Sequence, residues 1–221
     1  MVYYTLIILV MIIIIIIYFR SRKLDQAFYD QIIIYPELSN IKKDFDKIKR
    51  EILNLNEKWI EWPEKYLYEG KDNWTIMPLF VFDKYSSYVE KLPTLYKFLK
   101  NIKGLKIASL SKMKSGTKLI PHQGWGDHSN YVLRCHYGII VEKNKCYISV
   151  LNDNIEEIKY QEENEWLVFD DSKTHYAENM SSDDRIVLII DVIRPEHVKI
   201  GKSKILYSDE FNNIIKAFKN M

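Results

Sequence analysis

The sequence is short of the residues that would place it in several common classes. Cys135 and Cys146 are its only cysteines in 221 residues, too few for a disulfide framework. They could pair across a hairpin, but unpaired, structural thiols are the expected reading. Neither sign of charge dominates: 32 Lys and Arg stand against 30 Asp and Glu, a net charge of +2. No extended basic footprint is left for a nucleic-acid partner. With only 7 Gly and 6 Pro, collagen-like and linker-rich chains are excluded. There is no internal repeat, so a solenoid is excluded too. What is plentiful is apolar and aromatic: 47% and 14% of the chain, enough for one packed, β-rich domain with attachments.

The one low-complexity tract is the isoleucine run 12–17, inside 18 uncharged residues at 2–19. As a helix this stretch would measure about 27 Å, close to the thickness of a hydrocarbon core. The apolar part is long for a signal peptide and no small-residue cleavage site follows. The expectation is an uncleaved transmembrane anchor over 1–19, making a single-pass membrane protein. Arg20, Arg22 and Lys23 just after it favour a cytoplasmic domain. The acceptor patterns Asn73-Trp74-Thr75 and Asn179-Met180-Ser181 lie beside candidate site residues, where a glycan would obstruct entry, so they are poor evidence for a lumenal domain; the side stays open.

Between 20 and 72 a linker leads into a scaffold helix, with Leu38, Ile41, Phe45, Ile48, Ile52, Leu55 and Trp59 at spacings of three and four. From 73 onward short β-branched and aromatic runs alternate with polar turns. The first, 73–82, is interrupted at Pro78. Runs at 105–111, 117–122, 131–141, 145–151, 166–169 and 186–193 follow, and such spacing favours a jelly-roll sandwich or barrel. The tail 201–221 should end in a helix capped by Ser208.

The chemistry-bearing residues cluster in this strand-rich part. His122, Arg134, His136, His175 and Arg185 together suit an anion held beside a metal. Two neutral imidazoles with open positions suit oxygen-activating Fe(II), and arginine grips a carboxylate with paired hydrogen bonds. Any one of these histidines alone would be read as a hydrogen-bonded loop residue.

Four segments carry a more specific likeness: SKMKSGTKLIPHQG, NYVLRCHYGI, EWLVFDDSKTHYAEN and DRIVLIIDVIRP. Over residues 73–196 the chain resembles the aspartyl/asparaginyl β-hydroxylases, Fe(II)- and 2-oxoglutarate-dependent dioxygenases. The resemblance implies a mainly β fold, with a double-stranded β-helix (jelly-roll, cupin-like) core over 73–200 and flanking helices. It implies that His122 and His175 bind iron and that Arg185 pairs with the distal carboxylate of 2-oxoglutarate. Trp74, Ser111, Arg134 and His136 would complete the co-substrate site, with O2 as the second co-substrate. Asp170 and Asp171 read as turn residues supporting the site. The His-x-Asp/Glu pattern of most such oxygenases is broken by Gly124, leaving Asp127 or water to take the third ligand place.

Three functions follow from this reading. The first is hydroxylation of Asp or Asn in a polypeptide. The second is hydroxylation of a lipid acyl chain, as in lipid 2-hydroxylases of the same superfamily. The third is a non-catalytic jelly-roll binding protein, which retention of both histidines and Arg185 disfavours.

Overall fold

A computed structural model of the protein describes residues 23–207 and positions 3, 4, 11, 209 and 212. Most of the expected anchor, and the expected tail helix but for positions 209 and 212, lie outside the described residues. Among the described residues no helix is long and apolar enough to cross a membrane, and this overturns the single-pass membrane assignment. That expectation rested on length and apolarity alone. The run is built largely of β-branched isoleucine, whose helix propensity is weak, so composition does not by itself establish a spanning helix.

Eleven strands are found among the described residues: β1 (Phe28–Tyr29), β2 (Ile60–Glu61), β3 (Trp74–Val81), β4 (Lys84–Tyr85), β5 (Leu105–Met113), β6 (Val132–Ile140), β7 (Cys146–Asn152), β8 (Ile155–Tyr160), β9 (Trp166–Phe169), β10 (His175–Asn179) and β11 (Arg185–Ile193). They form an eight-stranded sheet in the order β1-β9-β6-β11-β5-β3-β2, with β4 on β3, and a three-stranded sheet β10-β7-β8. All named strand pairs are antiparallel.

The larger sheet is covered on both faces, and this explains its sequence. Strand β11 reads RIVLIIDVI and is buried at every position but the last, a near-continuous apolar run rather than an alternation. One face packs against a helical layer: a 3-10 helix at Pro36–Asp44, α2 (Phe45–Leu53) and α3 (Pro93–Leu99), following the short α1 (Gln31–Ile34). Leu38, Ile41, Ile48 and Ile52 from this layer meet Leu95, Leu110, Leu133, Tyr137, Leu188 and Ile190. The scaffold helix expected over 36–59 is thus present from Pro36 to Leu53, its first half wound more tightly. Burying each such Leu or Ile stabilises the fold by about 1.5–3 kcal/mol. The other face looks toward the smaller sheet across Trp74, Met113, Ile148, Val150, Phe169 and Ala177.

Pro78 sits inside β3, and the pairing shows how it is tolerated. On one side β2 covers only Thr75–Ile76 and β4 only Phe80–Val81, so Pro78 faces a gap in the ladder. On the other, the register with β5 shifts between Pro78 and Phe80. A residue without an N–H is expected at such an edge or bulge.

Two segments differ from the expected runs. Residues 117–122 make no regular strand; single bridges tie Lys118 to Glu178 and His122 to His175. Conversely, the stretch after Asp171 continues into strand β10, whose His175, Ala177 and Asn179 are buried while Tyr176 and Glu178 are half-buried. Cys135 and Cys146 are free and buried.

Candidate active site

Side chains alternate across a strand, and this delivers the site residues to one face. On β6, Leu133, Cys135 and Tyr137 enter the helix-side core, so Arg134 and His136 point the other way. On β11 the same rule sends Leu188 and Ile190 to the helices and Arg185 and Asp191 toward the smaller sheet. Ser111 of β5 and Trp74 of β3 join them, the Trp74 indole Nε1 donating to Ser111 Oγ at 3.0 Å.

His122 and His175 come together through their backbones. Each N–H donates to the other's carbonyl, at 2.9 and 2.8 Å, and their ring centroids lie 4.4 Å apart. His122 Nδ1 is 2.8 Å from the Ile120 carbonyl and His175 Nδ1 is 2.9 Å from the Lys173 carbonyl. A carbonyl only accepts, so each Nδ1 carries the hydrogen and each Nε2 is left with a bare lone pair. Burial pushes His122 down to about 3, helped by the neighbouring His175, and burial pushes His175 down to about 4. Both rings are therefore neutral near pH 7, the form that binds a metal, with the tautomer fixed by the carbonyls behind them.

Beside this pair stands Asp171, whose Oδ1 is 3.3 Å from His175 Nε2. A Cβ added to Gly124 would lie 1.9 Å from Asp171 Oδ2. The carboxylate of Asp171 thus fills the space that a side chain at 124 would need. Its charge is met by Arg134 Nη1, 2.5 Å from Oδ1, though neither oxygen receives an aligned hydrogen bond. Burial raises Asp171 from the usual carboxylate range against the opposing pull of Arg134. Among the described residues no group of three or more His, Cys, Asp or Glu is arranged to hold a metal. The donors on offer are two imidazoles with one carboxylate alongside. Asp127 is exposed on the short helix α4 (Gly126–Ser129).

The anion side is distinct. Arg185 is 2% exposed; its Nη1 donates to Gln161 Oε1 at 2.9 Å and its Nη2 to Ser111 Oγ at 3.5 Å. Its Nε has no partner and no carboxylate pairs with it among the described ion pairs. Burial pushes it down to about 10, which expresses the cost of an interior cation without an anion. Because Gln161 turns its oxygen to Arg185, its amide nitrogen faces His136 Nδ1 at 2.9 Å. His136 Nδ1 must then accept, so Nε2 carries the hydrogen, and that donor is buried without a partner. Burial, then the nearby Arg185, hold the ring well below its ordinary range. Two orphaned N–H groups, on residues bridged by Gln161, and the Ser111 hydroxyl belong to this group, a set whose chemistry fits a ligand carboxylate. The Phe169 ring links the two halves, 5.2 Å from His136 and 5.3 Å from His175 between centroids.

A cleft at the metal side is lined by Trp62, Glu64, His122, Trp125, Arg134 and Asp171, among others. Trp62 stacks on Trp74 at 4.4 Å and on Trp125 at 5.9 Å.

Of the residues singled out in the sequence, Trp74, Ser111, Arg185 and His136 are linked into one hydrogen-bonded group through Gln161, and His122 and His175 form the imidazole pair. Arg134 lines the cleft beside His122, with its Nε and Nη2 held by Asp191 at 2.8 and 2.9 Å. Asp170 is structural, accepting from Arg194 Nη1 and Nη2 at 2.9 and 2.7 Å. Asn179 is fully buried, with Nδ2 spent on three backbone carbonyls, which removes it as a glycan acceptor. Gln161 and Asp191 were not anticipated. A lone Asp inside VLIIDVI was the available signal, since a buried carboxylate requires partners; for Gln161, in a polar run, there was none.

Three comparisons bear on this arrangement. A family model described as aspartyl/asparaginyl beta-hydroxylase matches residues 42–195. An ornithine lipid ester-linked acyl 2-hydroxylase from Rhizobium tropici is 27% identical over 73% of this chain and 58% of its own length. The human aspartyl/asparaginyl beta-hydroxylase is 38% identical over 39% of this chain but only 10% of its own length. The matched region therefore spans less than two thirds of either relative. In fold, the chain is similar to a crystal structure from Burkholderia pseudomallei, an oxidoreductase of the 2OG-Fe(II) oxygenase family. That likeness has a TM-score of 0.51 at 9% identity and covers 75% of this chain and 82% of that one. Since the family model covers residues 42–195, more than half of its length, the chain belongs to the aspartyl/asparaginyl β-hydroxylase family.

Proposed function

We propose that this protein is an Fe(II)- and 2-oxoglutarate-dependent dioxygenase that hydroxylates the side chain of Asp or Asn in a polypeptide. The observation that carries the reading is the contrast between its two halves. His122 and His175 present bare Nε2 lone pairs, while Arg185 and His136 present unmet N–H donors to an anion close by. Iron bound by the imidazoles would supply dioxygen activation, coupled to decarboxylation of 2-oxoglutarate to succinate. The protein's own part is positioning. Arg185 would grip the distal carboxylate of the co-substrate, His136 Nε2–H and Ser111 Oγ would fix its tilt, and Trp74 holds the Ser111 hydroxyl. The indoles of Trp62 and Trp125 wall the cleft and would limit water beside a bound metal.

A second reading has a specific observation behind it. The acyl 2-hydroxylase matches 73% of this chain, against 39% for the human relative. Aspartate β-hydroxylation and acyl 2-hydroxylation both attack a C–H bond next to a carboxyl-derived carbonyl, so one site chemistry serves either.

The test is incubation with Fe(II), 2-oxoglutarate and O2, offering an Asp/Asn-containing peptide or an ester-linked lipid in micelles. Succinate and a gain of one oxygen atom are read by mass spectrometry. Gain on the peptide is expected. Gain on the lipid alone would transfer the assignment to the second reading, and absence of iron-dependent succinate would leave only a binding protein.

A further inference from the structure

His128 lies outside both ligand sets, yet it is tied to them through a short series of buried charges. It sits on α4, 5% exposed, with Nε2 2.8 Å from Asp191 Oδ2. Asp191 is fully buried and accepts the Nε and Nη2 of Arg134. A guanidinium is a rigid planar fork. With two of its nitrogens fixed by Asp191, the third, Nη1, is aimed at Asp171. Asp171 in turn lies against His175 Nε2 and fills the space beside Gly124. The orientation of the Asp191 carboxylate is thus set from behind by His128 and in front by Arg134.

The helix that carries His128 is itself held from outside. Gly126 N–H donates to the Ile205 carbonyl at 2.7 Å and Asn130 Nδ2 to the Ser203 carbonyl at 3.0 Å. A Cβ at Gly126 would come within 2.4 Å of that Ser203 oxygen, so the segment 203–205 passes too close for any side chain there. Phe82 meets the His128 ring edge-on at 5.6 Å. The 203–205 strap lies beyond residue 195, where the family match ends.

We propose that His128 is a positioning residue: acting through Asp191 and Arg134, it keeps the Asp171 carboxylate paired with Arg134 and away from a metal bound by His122 and His175. Arg134 and the metal compete for one carboxylate, and His128 biases that competition toward Arg134. The inference rests on the two-imidazole metal site proposed above.

The test uses the full chain with Co(II) as probe, without 2-oxoglutarate or O2, reading both the dissociation constant and the visible absorption of the bound ion. Two polar variants are compared. His128→Gln keeps an amide N–H with nearly the reach of the imidazole Nε2; His128→Asn falls short of Asp191. His128→Gln should match wild type within about twofold. His128→Asn should bind Co(II) about three- to tenfold more tightly, with an altered absorption band, on the scale of outer-shell effects at metal sites. Adding Asp171→Asn to His128→Asn should abolish that gain. A merely structural role would lower the melting temperature and leave the band unchanged. If His128→Asn does not fold, Asp191→Asn loosens the same guanidinium and gives the same readout.

An unchanged affinity and spectrum in His128→Asn, or a gain that persists without the Asp171 charge, would overturn the proposal. If wild type binds Co(II) no better than His175→Ala does, the metal site itself fails and the inference goes with it.

Discussion

Gly124 offers the most direct perturbation of the site, because its surroundings fix what a single methyl must do. A Cβ there would sit 1.9 Å from Asp171 Oδ2, 2.8 Å from Asp171 Cγ and 2.8 Å from Ser129 Cβ. None of these atoms is the free end of a flexible chain: Asp171 is 1% exposed and tied to Arg134. Gly124→Ala must therefore either push the carboxylate off Arg134 or shift the backbone that carries His122. Overpacking alone costs about 1–3 kcal/mol, and parting a buried ion pair about 3–5 kcal/mol. Partial relaxation makes about 2–4 kcal/mol the expected loss. For a chain of this size that lowers the melting temperature by roughly 5–15 °C. The assay is thermal unfolding of the metal-free protein by circular dichroism, with the double variant Gly124→Ala/Asp171→Gly alongside. Removing the Asp171 side chain removes the clash, so the double variant should be less destabilised than the sum of the two single changes. A Gly124→Ala protein that melts within a degree of wild type, or singles that simply add, would refute the packing described here.

Two further outcomes follow from the buried charges. Arg185→Met removes an interior cation that lacks a counter-ion; it should stabilise the metal-free protein by about 1–3 kcal/mol while abolishing 2-oxoglutarate binding, measured by denaturant unfolding and calorimetry, and a destabilised variant would show that Arg185 already has its anion. The depressed His122 and His175 make stability depend on acid. Both stay neutral in the fold well below the pH at which they protonate in the unfolded chain. The unfolded state therefore binds more protons over this window, and the contribution is constant above about pH 6.5 and lost as pH falls toward 4 and then 3. Nitrogen-15 spectra of the metal-free protein should show both rings as Nδ1–H tautomers with no titration between pH 8 and 5.

How much of this could be read beforehand varied with the kind of signal. That His122 and His175 lie together was legible because their motifs combine turn residues with neighbouring apolar runs, and the fold does bring the two rings to 4.4 Å. The helix from Pro36 to Leu53 was legible from its three-four spacing. Strand β10 was not: DSKTHYAEN is mostly polar, and only its pairing with β7 from His175↔Val150 to Asn179↔Cys146 makes it a strand. The partner of Arg134 was hidden for a similar reason. Nothing local shows that Asp191, 57 residues away, lies opposite it in the sheet and takes two of its nitrogens. Pro78 gave the right warning, since the ladder slips beside it, but the two short flanking strands that leave it unpaired have no strong sequence mark. The membrane assignment failed on a purely compositional argument, in which apolar length stood in for a helix that the described residues do not contain.

The proposal that His122 and His175 hold Fe(II) beside an anion site built on Arg185 is tested by anaerobic calorimetric titration with 2-oxoglutarate, in the presence and absence of Fe(II). Binding should require the metal, vanish in His175→Ala and weaken sharply in Arg185→Gln. Equal binding with and without Fe(II), or full binding in His175→Ala, would contradict it.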